Sequence, residues 1–160
     1  MSLRHQKSGF GALEIIVGAA IISISLFSLM AVSRLSLEMV FQSANRVKAG
    51  FLIEEGLEAV RTLRDGGWSA KIAPLSADTV YYLDFDGLNW QPTFTNVYID
   101  GIFERSFIIE DVYRDTNDDI AAFGFLDPGT KKVSVSVAWK ERLGTTTKSI
   151  SIYLTNLFGS

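Results

Sequence analysis

The stretch FGALEIIVGAAIISISLFSLMAV, residues 10–32, is almost entirely apolar, and Glu14 is its only charged residue. As an α-helix, these residues would extend about 35 Å, which is enough to cross the hydrocarbon core of a bilayer. Arg4 and Lys7 lie before the stretch, and Arg34 is the nearest charge after it. This distribution favours a cytoplasmic N-terminus, with the rest of the chain outside the cytoplasm.

An ordinary secretory signal is an alternative interpretation of this stretch. Such a signal has an apolar region of about 7–15 residues, followed by a cleavage site with small residues. The apolar region here is longer and contains a carboxylate, but Ala31-Val32-Ser33 offers a suitable cleavage site. Cleavage before Arg34 would release a secreted protein, for example a hydrolase, so this alternative stays open.

Glu14 is the candidate functional residue of the apolar stretch. A carboxylate in apolar surroundings is costly unless it is neutralised or paired. A cut between Gly9 and Phe10 would create a cationic α-amine four residues before Glu14. Pairing of these two groups between neighbouring chains would set the axial register of an assembly. Alternatively, Glu14 lies near the headgroup layer and reaches water.

The N-terminal sequence resembles a known processing site. Lys7-Ser8-Gly9-Phe10, followed by Glu14 and an unbroken apolar run, resembles the processing and methylation site of type IV prepilins and type II secretion pseudopilins. The resemblance implies that a prepilin peptidase removes residues 1–9, cutting after Gly9, and methylates the new terminus at Phe10. It makes Glu14 the carboxylate needed for assembly. Two positions depart from the common pattern, because Gly11 replaces a frequent Thr and Ala31 replaces a helix-kinking Pro.

The same resemblance implies a function and a location. The chain would be a minor pilin or pseudopilin, a structural subunit without enzymatic activity, anchored by a single span in the inner membrane before it joins a pilus or pseudopilus. Its partners would be the prepilin peptidase, other pilin or pseudopilin subunits and an inner-membrane assembly platform. A second alternative is an unprocessed membrane-anchored binding or sensor module that does not polymerise.

The helix is expected to continue beyond the apolar stretch. Residues 34–65 contain no proline, and apolar side chains recur at helical spacing. Gly66 and Gly67 follow as a stop signal. The sequence therefore predicts one helix over residues 10–65, with a membrane or assembly half at 10–33 and an amphipathic continuation at 34–66.

Residues 67–160 are expected to form an antiparallel sheet. Alternating patterns predict strands near residues 80–85, 94–99 and 103–113. The clearest pair is a hairpin, in which residues 133–139 and 150–154 each place apolar side chains on one face. The predicted fold is α+β and type IV pilin-like, with the amphipathic part of the long N-terminal helix packed against a small C-terminal sheet.

One loop has the composition of a cation site. Asp115, Asn117 and Asp119 place oxygen ligands at every second position, as at the start of a calcium loop. Ile120 stands where such a loop has glycine, and Asp127 lies one place beyond the usual bidentate ligand. Calcium at Asp115, Asn117, Asp119 and Asp127 is therefore one hypothesis, and a polar turn is the other.

Composition excludes several function classes. The sequence has no cysteine, so it excludes disulfides, thiolate nucleophiles and Cys-type zinc sites, and its only histidine, His5, lies in the predicted leader. The formal net charge is −3, without a stripe of Lys and Arg, so nucleic-acid binding is not predicted. No enzymatic activity and no cofactor other than calcium are expected.

Overall fold

In the computed structural model, residues 11–142 and 144–157 are described, and the chain divides into two units between Ala44 and Asn45. One helix, α1, covers Ala12–Asp65 and so supplies the described part of the first unit and the beginning of the second. Phe10, the predicted first helical residue, lies outside the described residues. The prediction of one long helix that ends at Asp65 is confirmed.

From Ala12 to Ala44, the described part of the first unit is helix, and its apolar side chains are exposed on all sides. By length and composition, α1 can cross a membrane, and no residue of its most apolar stretch is buried. The exposed fractions are 74% for Leu13, 65% for Ile16 and 73% for Phe27. A helix that is apolar all round requires lipid or other protein around it, because water would solvate none of its faces well.

The C-terminal end of α1 is closed by backbone hydrogen bonds. The N–H of Gly66 donates to the carbonyl oxygen of Thr62 at 2.9 Å, and that of Gly67 donates to Arg64 at 3.1 Å. Gly67 has a φ of 126°, a conformation that side chains with a Cβ rarely adopt. A short π-helical turn, Trp68–Ile72, follows and buries both of its end residues.

The second unit also contains an antiparallel sheet. Its strands are β1 (Val80–Phe85), β2 (Trp90–Thr93), β3 (Tyr98–Ile99), β4 (Phe103–Arg114), β5 (Ile120–Ala121), β6 (Phe125–Glu141) and β7 (Gly144–Thr155). The order is β2-β1-β4-β6-β7, and the short strands β3 and β5 pair with β4. The β6–β7 hairpin is in register from Thr130↔Thr155 to Glu141↔Gly144. The predicted α+β layout is confirmed at this level.

One predicted strand is wrong in most of its extent. The sequence pattern predicted a strand at residues 94–99, but only Tyr98–Ile99 is a strand there, and Trp90–Thr93 forms β2 instead. The reason is a tight turn at Asp86, whose Oδ1 accepts hydrogen bonds from the N–H groups of Leu88 and Asn89 at 2.8 and 2.7 Å. The turn brings the chain directly back along β1, so pairing starts at Trp90 and ends at Thr93.

The core of the second unit lies between the last part of α1 and one face of the sheet. In β4 and the later part of β6, buried residues alternate with half-buried ones, so each of these strands lends one face to this core, whereas β7 buries only Leu154. The helix lies close to the sheet at Gly56, where a Cβ atom would lie 2.8 Å from Val135 Cγ1 and 3.1 Å from Arg105 Cδ. The helix contributes Ala49, Leu52, Ile53, Leu57, Ala59, Val60 and Leu63, and the sheet contributes Tyr81, Leu83, Phe103, Phe107, Ile109, Val133, Val135, Val137, Trp139 and Leu154.

Candidate functional site

Glu14 closes the first turn of α1. The carbonyl oxygen of Gly11 accepts hydrogen bonds from the N–H groups of Glu14 and Ile15, at 3.0 and 3.4 Å. In return, Glu14 Oε2 accepts a hydrogen bond from the N–H of Gly11 at 3.0 Å. This is the glutamate half of a capping box, and it satisfies a backbone donor that the helix itself cannot satisfy. A negative charge in the first turn also interacts favourably with the helix dipole.

The predicted cleavage site lies just before this turn. Gly9 and Phe10 are outside the described residues, so cleavage after Gly9 and methylation of Phe10 stay predictions. Phe10 is bonded directly to Gly11, whose N–H already contacts the Glu14 carboxylate. A new α-amine on Phe10 would therefore arise one residue from a group that Glu14 already binds.

Five serine hydroxyls that follow Glu14 in the first unit form hydrogen bonds within the helix. The hydroxyl groups of Ser23, Ser25, Ser28, Ser33 and Ser36 each donate to the carbonyl oxygen four residues earlier, at 2.8–2.9 Å. In apolar surroundings, such bonds remove the cost of an unsatisfied hydroxyl. Between Glu14 and Arg34, this part of the chain therefore presents an almost wholly apolar surface.

A buried arginine in the second unit was missed from the sequence. Arg105 in β4 is 5% exposed and lies on the core face of the sheet. Its Nη1 is 2.8 Å from Glu55 Oε2 on α1, and its guanidinium carbon is 4.9 Å from the centre of the Trp90 ring. Among the described residues, Nε and Nη1 have no aligned hydrogen bond, so the contact with Glu55 is electrostatic.

Arg105 is buried because of its place in β4. It is in phase with Phe103 and Phe107, so strand alternation alone puts it under the helix. A buried cation needs a partner, and Glu55 and the Trp90 ring supply one from each side. The contact with Glu55 thereby joins the second part of α1 to β4. The sequence signal was an arginine at an inward position of a strand that was otherwise correctly predicted.

The candidate calcium residues are engaged by hydrogen bonds. Asp115 Oδ1 accepts from the N–H groups of Asn117 and Asp119 at 2.8 and 3.1 Å. Asp127 accepts from Arg114 Nε at 2.7 Å and from the N–H of Gly129 at 2.9 Å. Within residues 11–142 and 144–157, no group of three or more His, Cys, Asp or Glu residues is arranged to hold a metal. Calcium binding stays a prediction, and these contacts favour the polar turn.

The Arg114–Asp127 contact shifts the pKa of both groups. The hydrogen bond from Arg114 is the main cause that lowers the pKa of Asp127, and the bonds from Thr130 and Gly129 add to it. The same hydrogen bond is the main cause that raises the pKa of Arg114. The pair joins the end of β4 to the start of β6 and closes the turn that carries the candidate calcium residues.

No family model, curated protein or solved structure matches this chain.

Proposed function

We propose that this chain is a type IV pilin-like structural subunit, which is inserted in the membrane as a precursor, processed by a prepilin peptidase and assembled into a pilus or pseudopilus through α1. The observation that carries the proposal is the combination of two environments on one helix. Its first part is apolar and uncovered on all sides, whereas its last part is covered by a sheet.

The uncovered part of α1 needs an apolar partner at every stage. A bilayer can supply it before assembly, and the same helices of neighbouring subunits can supply it in a filament. Since apolar surface then passes from one apolar environment to another, the exchange costs little hydrophobic energy. Packing and the few polar contacts would decide which arrangement forms.

Glu14 is the polar contact best suited to that role. It is the only charged residue among residues 11–33 and lies in the first turn of α1. After removal of residues 1–9, its carboxylate could pair with the methylated α-amine of a neighbouring subunit. Such a pair in apolar surroundings contributes more to specificity and register than to affinity. Gly9 and Phe10 are the proposed cleavage and methylation positions.

The second unit would then serve as the head of the subunit. Its core holds the last part of α1 against five main strands, and the Glu55–Arg105 contact crosses that interface. A head fixed on its helix in this way transmits the register set by α1 to the filament surface. In this proposal, the chain has no catalytic role and needs the prepilin peptidase, other pilin subunits and an inner-membrane assembly platform as partners.

The proposal is tested by the N-terminus of the natural product. The full-length chain is co-expressed with a prepilin peptidase, purified from membranes and analysed by mass spectrometry. A chain that starts at Phe10 and carries one added methyl group supports the proposal. Gly9→Leu should remain uncut, whereas the neighbouring control Ser8→Ala should still be processed.

Two other outcomes would contradict the proposal. An intact N-terminus at Met1 in the presence of active peptidase would favour the unprocessed membrane-anchored module. A soluble product that starts at Arg34 would favour secretion by ordinary signal cleavage.

A further inference from the structure

Cations are gathered at the end of the second unit where α1 enters it. Arg46 lies 3.6 Å from Glu141, and Lys48 contacts Asp100 and lies 5.7 Å from the centre of the Phe103 ring. Lys148 Nζ would be 3.9 Å from a Cβ atom at Gly50. We call this surface the basic end, and its cations are Arg46, Lys48, Lys140, Arg142 and Lys148.

The basic end differs in charge from the rest of the unit. The chain as a whole has a formal net charge of −3, and the connection between β4 and β6 at the other end of the sheet carries Asp115, Asp118 and Asp119. At the basic end, the carboxylates of Asp100, Glu104 and Glu141 offset only part of the positive charge of the five cations. Charge is therefore segregated along the sheet.

An exposed hollow of mixed polar and apolar lining accompanies the cations. It has a volume of about 510 Å³ and is lined by Asn45, Tyr98, Gly101, Ile102 and Lys140. Tyr98 is 59% exposed and Ile102 is 48% exposed, beside the exposed ammonium of Lys140. Tyr and Trp side chains are enriched at the level of lipid headgroups in membrane proteins, and Tyr98 next to Lys140 fits that pattern.

We propose that the basic end docks on the surface of an anionic bilayer while the subunit is still anchored in the membrane. Arg34 is the first charge after the apolar stretch, and Asn45, where the second unit begins, follows it by eleven residues of chain. The cations face lipid phosphates within that reach, and Tyr98 and Ile102 insert at the headgroup level. The inference rests on the membrane anchor of the proposed function but not on filament assembly, so the two fail in different experiments.

The docked state would have a definite salt and lipid dependence. Each cation near an anionic surface raises the ratio of docked to undocked heads by about fivefold. Neutralising three cations should therefore lower this ratio by about a hundredfold. Added salt weakens the attraction because the screening length falls. A neutral bilayer should therefore leave the head largely undocked.

The test uses the full-length chain in lipid nanodiscs. Because the sequence has no cysteine, Thr145→Cys places a single fluorophore beside the basic end, and Asn117→Cys places one at the other end of the sheet. Energy transfer to acceptor-labelled lipid headgroups is measured in phosphatidylcholine discs with and without phosphatidylglycerol. The charge variant is K140Q/R142Q/K148Q, and the matched control is R61Q/R64Q/K71Q.

If the basic end docks, phosphatidylglycerol increases energy transfer from position 145 but not from position 117, and added salt reverses the increase. The K140Q/R142Q/K148Q variant abolishes the increase, whereas the R61Q/R64Q/K71Q control keeps it. The wild-type lipid and salt dependence decides the question even if a variant folds poorly. Transfer that ignores phosphatidylglycerol would overturn the proposal. A signal that follows the number of chains per disc instead of the lipid would also overturn it, in favour of contact between two copies.

Discussion

Glu14 and Gly11 are joined at the start of α1, where the Glu14 carboxylate accepts a hydrogen bond of 3.0 Å from the backbone N–H of Gly11. This contact needs an acceptor oxygen but no charge. Pairing with an α-amine in apolar surroundings needs the charge as well. A glutamine at position 14 keeps the acceptor and removes the charge, so it separates the two roles.

The close approach at Gly56 predicts an effect opposite to helix propensity. Gly56→Ala would place a Cβ atom 2.8 Å from Val135 Cγ1, so the helix or the sheet must shift. We expect a loss of about 1–3 kcal/mol in the free energy of unfolding, although alanine is the better helix former. Tryptophan fluorescence reports unfolding in detergent, since Trp68, Trp90 and Trp139 all lie in the second unit.

Gly50→Ala is the matched control for Gly56→Ala. Gly50 lies on the same helix, but its nearest neighbour would be Lys148 Nζ, at an ordinary contact distance of 3.9 Å. The expected change is a gain of about 0.5–1 kcal/mol. An equal gain in the free energy of unfolding for both substitutions would show that helix propensity, and not packing against the sheet, controls both positions.

The buried arginine predicts a difference between two adjacent glutamates. Glu55→Ala removes the carboxylate that lies beside the buried Arg105. We expect a loss of about 1–3 kcal/mol in the free energy of unfolding, at the low end for a buried pair because Glu55 is half exposed. Glu54→Ala removes an exposed carboxylate and should change the free energy of unfolding by less than about 0.5 kcal/mol. Indistinguishable unfolding midpoints in urea would contradict the assigned role of the Glu55–Arg105 contact.

Acid should destabilise the second unit through Asp127. The hydrogen bond from Arg114 lowers the pKa of Asp127 in the folded chain, and the N–H groups of Asn89 and Leu88 lower that of Asp86. As the pH falls, the unfolded chain therefore takes up protons first. The stabilisation is complete above the unfolded pKa of about 3.9 and is lost as the pH falls through the lower folded pKa.

Substitution of Asp127 tests this origin of the acid sensitivity. Asp127→Asn should be less stable than the wild type at neutral pH but should lose less further stability below about pH 4. Asp84→Asn, at an exposed position of β1, serves as the control and should keep the wild-type pH dependence. Urea unfolding midpoints over the acid range give the comparison, and equal slopes for Asp127→Asn and the wild type would assign the effect to other carboxylates.

The turn at Asp115 predicts little response to calcium. Because its Oδ1 already accepts two backbone hydrogen bonds and Asp127 is bound by Arg114, we expect added calcium to leave the thermal midpoint unchanged. A ligand at a hundred times its dissociation constant would stabilise the chain by about 2.7 kcal/mol. A rise of that size in the wild type, absent in Asp119→Asn, would instead support the calcium site.

The elements predicted best from the sequence are those set by the periodicity of apolar residues. The long helix follows from unbroken apolar and helical patterns, and its end at Asp65 follows from Gly66 and Gly67. The strand β1 has the predicted bounds, and β4 extends one residue further, to Arg114. These elements are set by local pattern, so a single sequence suffices to find them.

The remaining features depend on contacts between particular side chains and distant groups. The β1–β2 turn depends on Asp86 binding two backbone N–H groups, and a pattern of alternation does not contain that information. Alternation places Arg105 on the inward face of β4, but its partners Glu55 and Trp90 lie far away in the sequence and are brought to it only by the fold. For Glu14, the sequence indicated a functional carboxylate but not its bond to Gly11.

The role of Glu14 in assembly is tested by the incorporation of Glu14 variants into filaments. The full-length wild type, Glu14→Gln and Glu14→Ala are expressed with the peptidase and assembly platform, and the fraction of each processed subunit in sheared filaments is measured. We expect both variants to be cut at Phe10 but to enter filaments about tenfold less than the wild type, as a loss of about 1.4 kcal/mol implies. Normal incorporation of Glu14→Gln would contradict the account, because the carboxylate would then serve only to cap α1.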